Sequence, residues 1–295
     1  MDVAKKATFK ALLKECKNLP TLPGIVGKLA TMAEDPNTST DQIGKVISKD
    51  HILSAKLLRL VNSAFYGFPQ RISSLSSAII LLGFSVVKSL IITASIFEFM
   101  EEQDIELWEH SLGCAVVCSV VAKRMGIADP EEVSTAGLIH DIGKVAIKME
   151  LPKEYAEIIA IMQKDNVTIR VAEKQVLGFD HAEAGGWLTK SWNLPDKLVE
   201  PITFHHNPRM ASKNSQLTSC IIHFSDILIR GMGYCHGGDN KVPVLSKNAW
   251  KMLNLNKQDI DAIIDEVEEK LWDVKGFSLE VQQSPDTNIS NKEVS

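Results

Sequence analysis

Adjacent His140 and Asp141 close the apolar run in AGLIHDIGK, and together they offer a ring nitrogen and a carboxylate to one or two cations. The same donor types return along the chain: His110 in LWEHS, His181 in FDHAEAG, the doublet His205-His206 in TFHHNP, and Asp226 in IIHFSDIL. Five of the eight histidines fall in this series, so the imidazoles are concentrated where carboxylates accompany them. Neutral imidazole and carboxylate suit Fe, Mn, Zn or Ni, and the set is larger than one tetrahedral zinc can use. The expected centre therefore holds two divalent ions.

Glu106 lies four residues before His110, so on a helix the two side chains share a face and Glu106 is expected as an extra ligand. Two neighbouring ions would polarise a phosphoryl oxygen and lower the pKa of a bridging water, which is the chemistry of phosphoester hydrolysis. Lys144, one turn beyond His140, would then contact a phosphate, and Asp141 and Lys144 are the residues expected to act in catalysis.

Competing readings are structural. His140 and Asp141 can be a helix C-terminal histidine and a turn aspartate, with Gly143 supplying the break. His51, His223 and His236 read as hydrogen-bonded histidines of a core rather than ligands. Cys114 and Cys118 follow His110 at helical spacing, but the surrounding AVVCSVVA makes them small hydrophobes. Asn62, Phe65 and Tyr66 in NSAFYG fit either a binding surface or a helix C-terminus before a glycine turn.

The elements that position these residues are helical. Apolar residues recur at helical spacing, as in Ile43, Val46, Ile47 and then Leu53, Leu57, Leu58, Val61, and strict alternation is hard to find. Helix starts are marked at Ser39-Thr40-Asp41, Asp129-Pro130-Glu131 and Leu194-Pro195-Asp196. The fold class is all-α. An acidic break at Glu101-Glu102-Gln103-Asp104 divides an N-terminal helical subdomain, residues 1–105, from a metal-binding helical bundle, residues 106–275. The polar, aperiodic residues 276–295 are expected to form a disordered tail.

With 295 residues and an apolar fraction of 45%, the chain can bury a sizeable core. A net charge of −5 without a Lys/Arg-dense stretch argues against nucleic acid as a partner. Cys16, Cys114, Cys118, Cys220 and Cys235 are odd in number and lack a CxxC pair, which fits free thiols in a reducing compartment. The amphipathic N-terminus has no secretory h-region, so the cytoplasm is the expected location. Ala78 to Phe97 is apolar, but Gly83, Lys88 and several serines interrupt it, and a buried helix is expected there rather than a membrane span.

The order H…HD…H…HH…D resembles the HD superfamily of metal-dependent phosphohydrolases, and most closely its HD-GYP branch. The first part is similar to a more specific signature, that of the HDOD domain, through LPTLPGIVGKL, Ser48-Lys49-Asp50, LSAKLLRLVNSAFYG and ISSLSSAIILLG. Together the two resemblances span roughly Leu19 to Arg230, and the whole protein is identified as a member of the HDOD family. The sequence after His205-His206 runs NPRMASKN and lacks the DGxGYP element of the HD-GYP branch, so the resemblance does not extend to cyclic di-GMP hydrolysis. Membership implies a multi-helix fold and a regulatory output through partner signalling proteins. The retained ligands imply as an alternative a phosphohydrolase or phosphodiesterase acting on a nucleotide or cyclic nucleotide. A homodimer would suit a helical surface with exposed Trp or Met.

Overall fold

The computed structural model describes residues 105–192 and 194–282, the shorter stretches 38–48 and 72–83, and single positions such as Phe9, Leu57, Val61 and Val86. Every regular element among the described residues is a helix.

Two short helices of the first third lie among the described residues. Ser39 caps α1 (Thr40–Ile47) through a capping box with Gln42, satisfying two backbone N–H groups that the first turn leaves open. Ser74 caps α2 (Leu75–Leu82), which ends at Gly83 in the left-handed region, φ 81°. The two helices pack together on Ile43, Ile47, Leu75, Ala78 and Ile79. Asn62 hydrogen-bonds the Leu58 carbonyl and both backbone groups of Ile72, so it clips a helix end to the next segment. Its structural reading prevails. Phe65, Tyr66, His51, Cys16, the Glu101–Asp104 break and most of Ala78–Phe97 lie outside the described residues.

The rest is a bundle around α3 (Ile105–Arg124), whose residues Leu112 to Ala122 are almost all buried because neighbours cover it on several sides. The chain continues through α4 (Pro130–Leu138), α5 (Ile142–Glu150), α6 (Pro152–Asp165), α7 (Ile169–Leu177), α8 (His181–Ser191) and α9 (Asp196–Phe204). A 3-10 turn at Pro208–Met210 leads into α10 (Gln216–Gly231), then α11 (Lys247–Leu253) and α12 (Lys257–Gln282). Helix α3 packs against α4, α10 and α12, and α8 packs against both α5 and α9. Among the described residues no helix is long and apolar enough to cross a membrane.

Helix α12 runs past residue 275 to Gln282, since no proline interrupts the sequence before Pro285; residues 283–295 of the expected tail lie outside the described residues. Phe9 stacks on Phe179 at 5.0 Å between ring centroids and lies against Trp187, so a side chain from the first segment completes the core of the second.

Candidate metal centre

Close helix crossings set the site. Helix α5 begins directly after Asp141 and runs through Gly143 without a break. The glycine serves contact instead: a Cβ there would stand 1.9 Å from the His181 carbonyl oxygen and 2.6 Å from the Gly185 nitrogen. That approach places Asp141 beside His181, the first residue of α8. Gly186 meets Thr203 in the same way and brings in the end of α9, where His205 and His206 project. His110 enters from α3 and Asp226 from α10.

The Asp141 carboxylate lies at the centre. Its Oδ1 is 3.2 Å from His181 Nε2 and 3.9 Å from His205 Nε2, while Oδ2 is 3.4 Å from His140 Nε2 and 3.6 Å from His110 Nε2. The ligand atoms thus form two groups, His181 with His205 and His206, and His110 with His140 and Asp141. In the first group the Nε2 atoms of His181 and His206 are 2.8 Å apart and those of His205 and His206 3.1 Å. Such spacing matches adjacent nitrogens around one ion with metal–nitrogen bonds of ~2.1 Å. Asp226 Oδ1 lies 3.2 Å from His110 Nε2 and is held by Arg230 at 2.7 Å.

The outer nitrogens are anchored. His140 Nδ1 meets the Gly137 carbonyl at 2.7 Å, His205 Nδ1 the Ile202 carbonyl at 2.7 Å, and His181 Nδ1 the Glu173 carboxylate at 2.6 Å. These partners turn Nε2 of each ring toward the centre, as outer partners of metal-binding histidines do. His110 Nε2, His140 Nε2 and Asp141 Oδ1 are buried with no hydrogen-bond partner. Orphaned polar atoms of this kind cost roughly 1–3 kcal/mol each, and a cation between them removes that cost, so the donor set fits a metal.

Charge follows the same plan. Burial pushes His140 down to about 4, and burial with His140 as neighbour pushes His205 down to about 3, leaving both rings neutral as ligands must be. Burial alone would raise the Asp141 carboxyl, but His140 and Lys144 hold it well below the usual carboxylate range. His181 departs from this plan: burial opposes charge on it as well, yet Glu173 and then Asp141 push it up to about 9, so its ring holds a proton that an ion taken up there must displace.

Of the residues singled out by sequence, His110, His140, Asp141, His181, His205, His206 and Asp226 converge. Lys144 Nζ donates to Asp141 Oδ2 at 2.5 Å and to the Gly237 carbonyl at 2.5 Å. Glu106 does not converge: its exposed carboxylate pairs with His236 at 3.2 Å, because a full helical turn separates it from His110 along the α3 axis. His223 takes the structural part expected of it, bonding the His205 carbonyl and the Ser246 N–H. Burial raises the Cys114 thiol, and both Cys114 and Cys118 are fully buried core residues. Sequence reasoning passed over Glu173, Arg230, Gly237 and Asp239. Glu173 carried a usable signal, a carboxylate on α7 facing His181 across a tight Gly-Phe-Asp turn.

Comparison with known proteins gives the family. The HDOD domain matches residues 19–208, about two thirds of the chain. The chain belongs to the HDOD domain family. A crystallised HDOD domain protein of unknown function from Geobacter sulfurreducens is 26% identical, with a TM-score of 0.69 over 92% of this chain and 97% of that one. A candidate phosphohydrolase from Shewanella amazonensis SB2B shares the fold, at 24% identity and a TM-score of 0.62 over 90% and 98% of the two chains. An uncharacterised protein of Treponema pallidum is 27% identical over 220 residues, and this HDOD chain spans only 42% of that relative's length. Asp226 lies beyond the matched family segment, so its place in the cluster comes from the helical packing alone.

Proposed function

We propose that this HDOD protein is a cytoplasmic regulatory module of signal transduction whose second half binds two divalent ions, iron first among the candidates and Mn, Ni or Zn as the others. The observation that carries the reading is the Asp141 carboxylate, one oxygen facing His181 and His205 and the other facing His110 and His140. A carboxylate so placed can bridge two ions. His181, His205 and His206 would hold one of them, and His110, His140 and Asp226 the other, with Asp141 between. Output would pass through a signalling partner or a second copy of the chain; exposed Met210, Trp250 and Met252 offer the aromatic and methionine surface that such contacts favour.

A second reading, hydrolysis of a nucleotide or cyclic-nucleotide phosphoester, is favoured by Lys144. Its buried ammonium beside Asp141 supplies the cation that a phosphoryl group at this centre needs. The ions would supply an activated water and a polarised phosphoryl oxygen. Lys144 would orient the phosphoryl group, and Asp141 would fix the spacing of the two ligand groups.

Elemental analysis of anaerobically purified protein tests the first reading. About two ions per chain, lost in His140→Ala and Asp141→Ala, are expected; metal-free wild type would overturn it. Screening the loaded protein with nucleotide and cyclic-nucleotide phosphoesters then separates regulator from enzyme.

A further inference from the structure

The segment between Gly233 and Asp239 lies directly on the metal cluster. The Gly237 carbonyl accepts a hydrogen bond from Lys144 across 93 positions of sequence. A Cβ on Gly237 would stand 2.9 Å from His110 Nε2 and 2.6 Å from an Arg230 guanidinium nitrogen. Its φ is not in the left-handed region, so glycine is needed here for close approach alone. The main chain at Gly237 therefore covers the His110 nitrogen that faces Asp141 and Asp226, and it engages the Lys144 ammonium.

The same segment also engages the second buried cation. Asp239 Oδ1 accepts from Arg230 at 3.2 Å, and its Oδ2 accepts from the Ile169 N–H at the start of α7 at 2.9 Å. Arg230 also donates to Asp226 and to the Lys241 carbonyl. Without the segment, Lys144 and Arg230 would both lose an oxygen ligand and face the His110 group together. Two cations and a metal position are the requirements of a phosphoryl site.

We propose that residues 233–239 form a strap whose Gly237 carbonyl holds the place of a phosphoryl oxygen, and that a phosphoester or phosphate anion binds at Lys144 and Arg230 only when the strap swings away. The inference rests on the metal reading above. Glycines in the left-handed region, Gly233 at φ 68° and Gly238 at φ 100°, stand near either end. The outer attachments are light: His236 pairs with Glu106 at 3.2 Å between two exposed side chains, which contributes little. Cys235 meets Glu109 at 3.3 Å. The inner attachments are Gly237 on Lys144 and Asp239 on Arg230, which an entering anion would replace, and Asp239 on the Ile169 N–H, which must part as the strap moves.

The test uses metal-loaded full chain and inorganic phosphate as the probe, followed by calorimetry, with metal content measured on every sample. Gly237→Ala forces the main chain off His110 and Arg230, and Asp239→Asn weakens the Arg230 contact at constant size. Both are expected to bind phosphate about tenfold more tightly than wild type, as when a minor open state becomes the main one. Adding Lys144→Gln to Asp239→Asn should abolish the gain. Removal of metal by a chelator should speed up in the two single variants by a similar factor. Wild type without metal overturns the metal reading and this proposal with it. Loaded variants that bind phosphate no more tightly than wild type overturn the strap alone. Asp239→Asn adds no atom to the buried segment, so it decides the matter if Gly237→Ala fails to fold.

Discussion

The carboxylate of Glu173 receives both the backbone N–H and the ring Nδ1 of His181, at 2.9 and 2.6 Å, through one oxygen. Helix α7 thus fixes where α8 begins and which nitrogen of its first residue faces Asp141. Outer partners of this kind fix the orientation of a metal-binding imidazole and raise its basicity. Glu173→Ala is expected to weaken metal binding by roughly 10- to 100-fold while leaving the helical content unchanged. Glu173→Gln keeps an acceptor and should lose less. Metal titration with circular dichroism on each variant checks both.

Gly143 is the point where α5 touches α8, and the atoms a Cβ would strike are backbone. They cannot rotate aside. Gly143→Ala should separate the helices, moving Asp141 from His181, and should cost about 1–3 kcal/mol of stability as overpacking does. Metal content at saturating ion should fall below that of wild type. Unchanged occupancy with an unchanged melting temperature would show that the crossing tolerates the methyl group.

Acid should unload this region through Asp180. Burial works against its ionised form, but His181 and then Arg170, at 2.8 Å, hold the carboxyl well below the usual carboxylate range. A depressed pKa contributes stability above the unfolded value, about 3.9, and that contribution disappears as pH falls below it. Asp180 also caps α8 by accepting from the Glu183 N–H. Asp180→Asn retains a capping oxygen and removes the charge, so its melting temperature should lie below wild type near pH 7 and approach it near pH 3. Parallel melting curves at all pH values would refute the assignment.

The histidine cluster was legible because each ligand type is chemically rare and the order of the set is distinctive, so His110, His140, His181, His205 and His206 could be named without knowing a single contact. Glu106 was misplaced because helical spacing reports a shared face and not the distance along the axis. Gly143 read as a break because sequence cannot tell a glycine that ends a helix from one that admits another helix. Gly237 was invisible for a different reason: its partners Lys144, His110 and Arg230 come from three helices, and no local pattern announces a main-chain contact of that range.

His223 connects the histidine cluster to the start of α11. Its Nδ1 donates to the carbonyl of His205 at 2.8 Å, and its Nε2 accepts from the N–H of Ser246, the cap of α11, at 3.0 Å. Burial lowers its pKa, which favours the neutral ring that this donor-acceptor pair requires. His223→Leu preserves bulk but strands a carbonyl and an N–H, a loss of roughly 1–3 kcal/mol. The loss should not be confined to stability. The unheld carbonyl belongs to a proposed ligand, so metal affinity should fall in the same variant, while His223→Gln, with an amide able to donate and accept, should recover part of both. A stability loss in His223→Leu with unaltered metal affinity would restrict His223 to holding α11 in place.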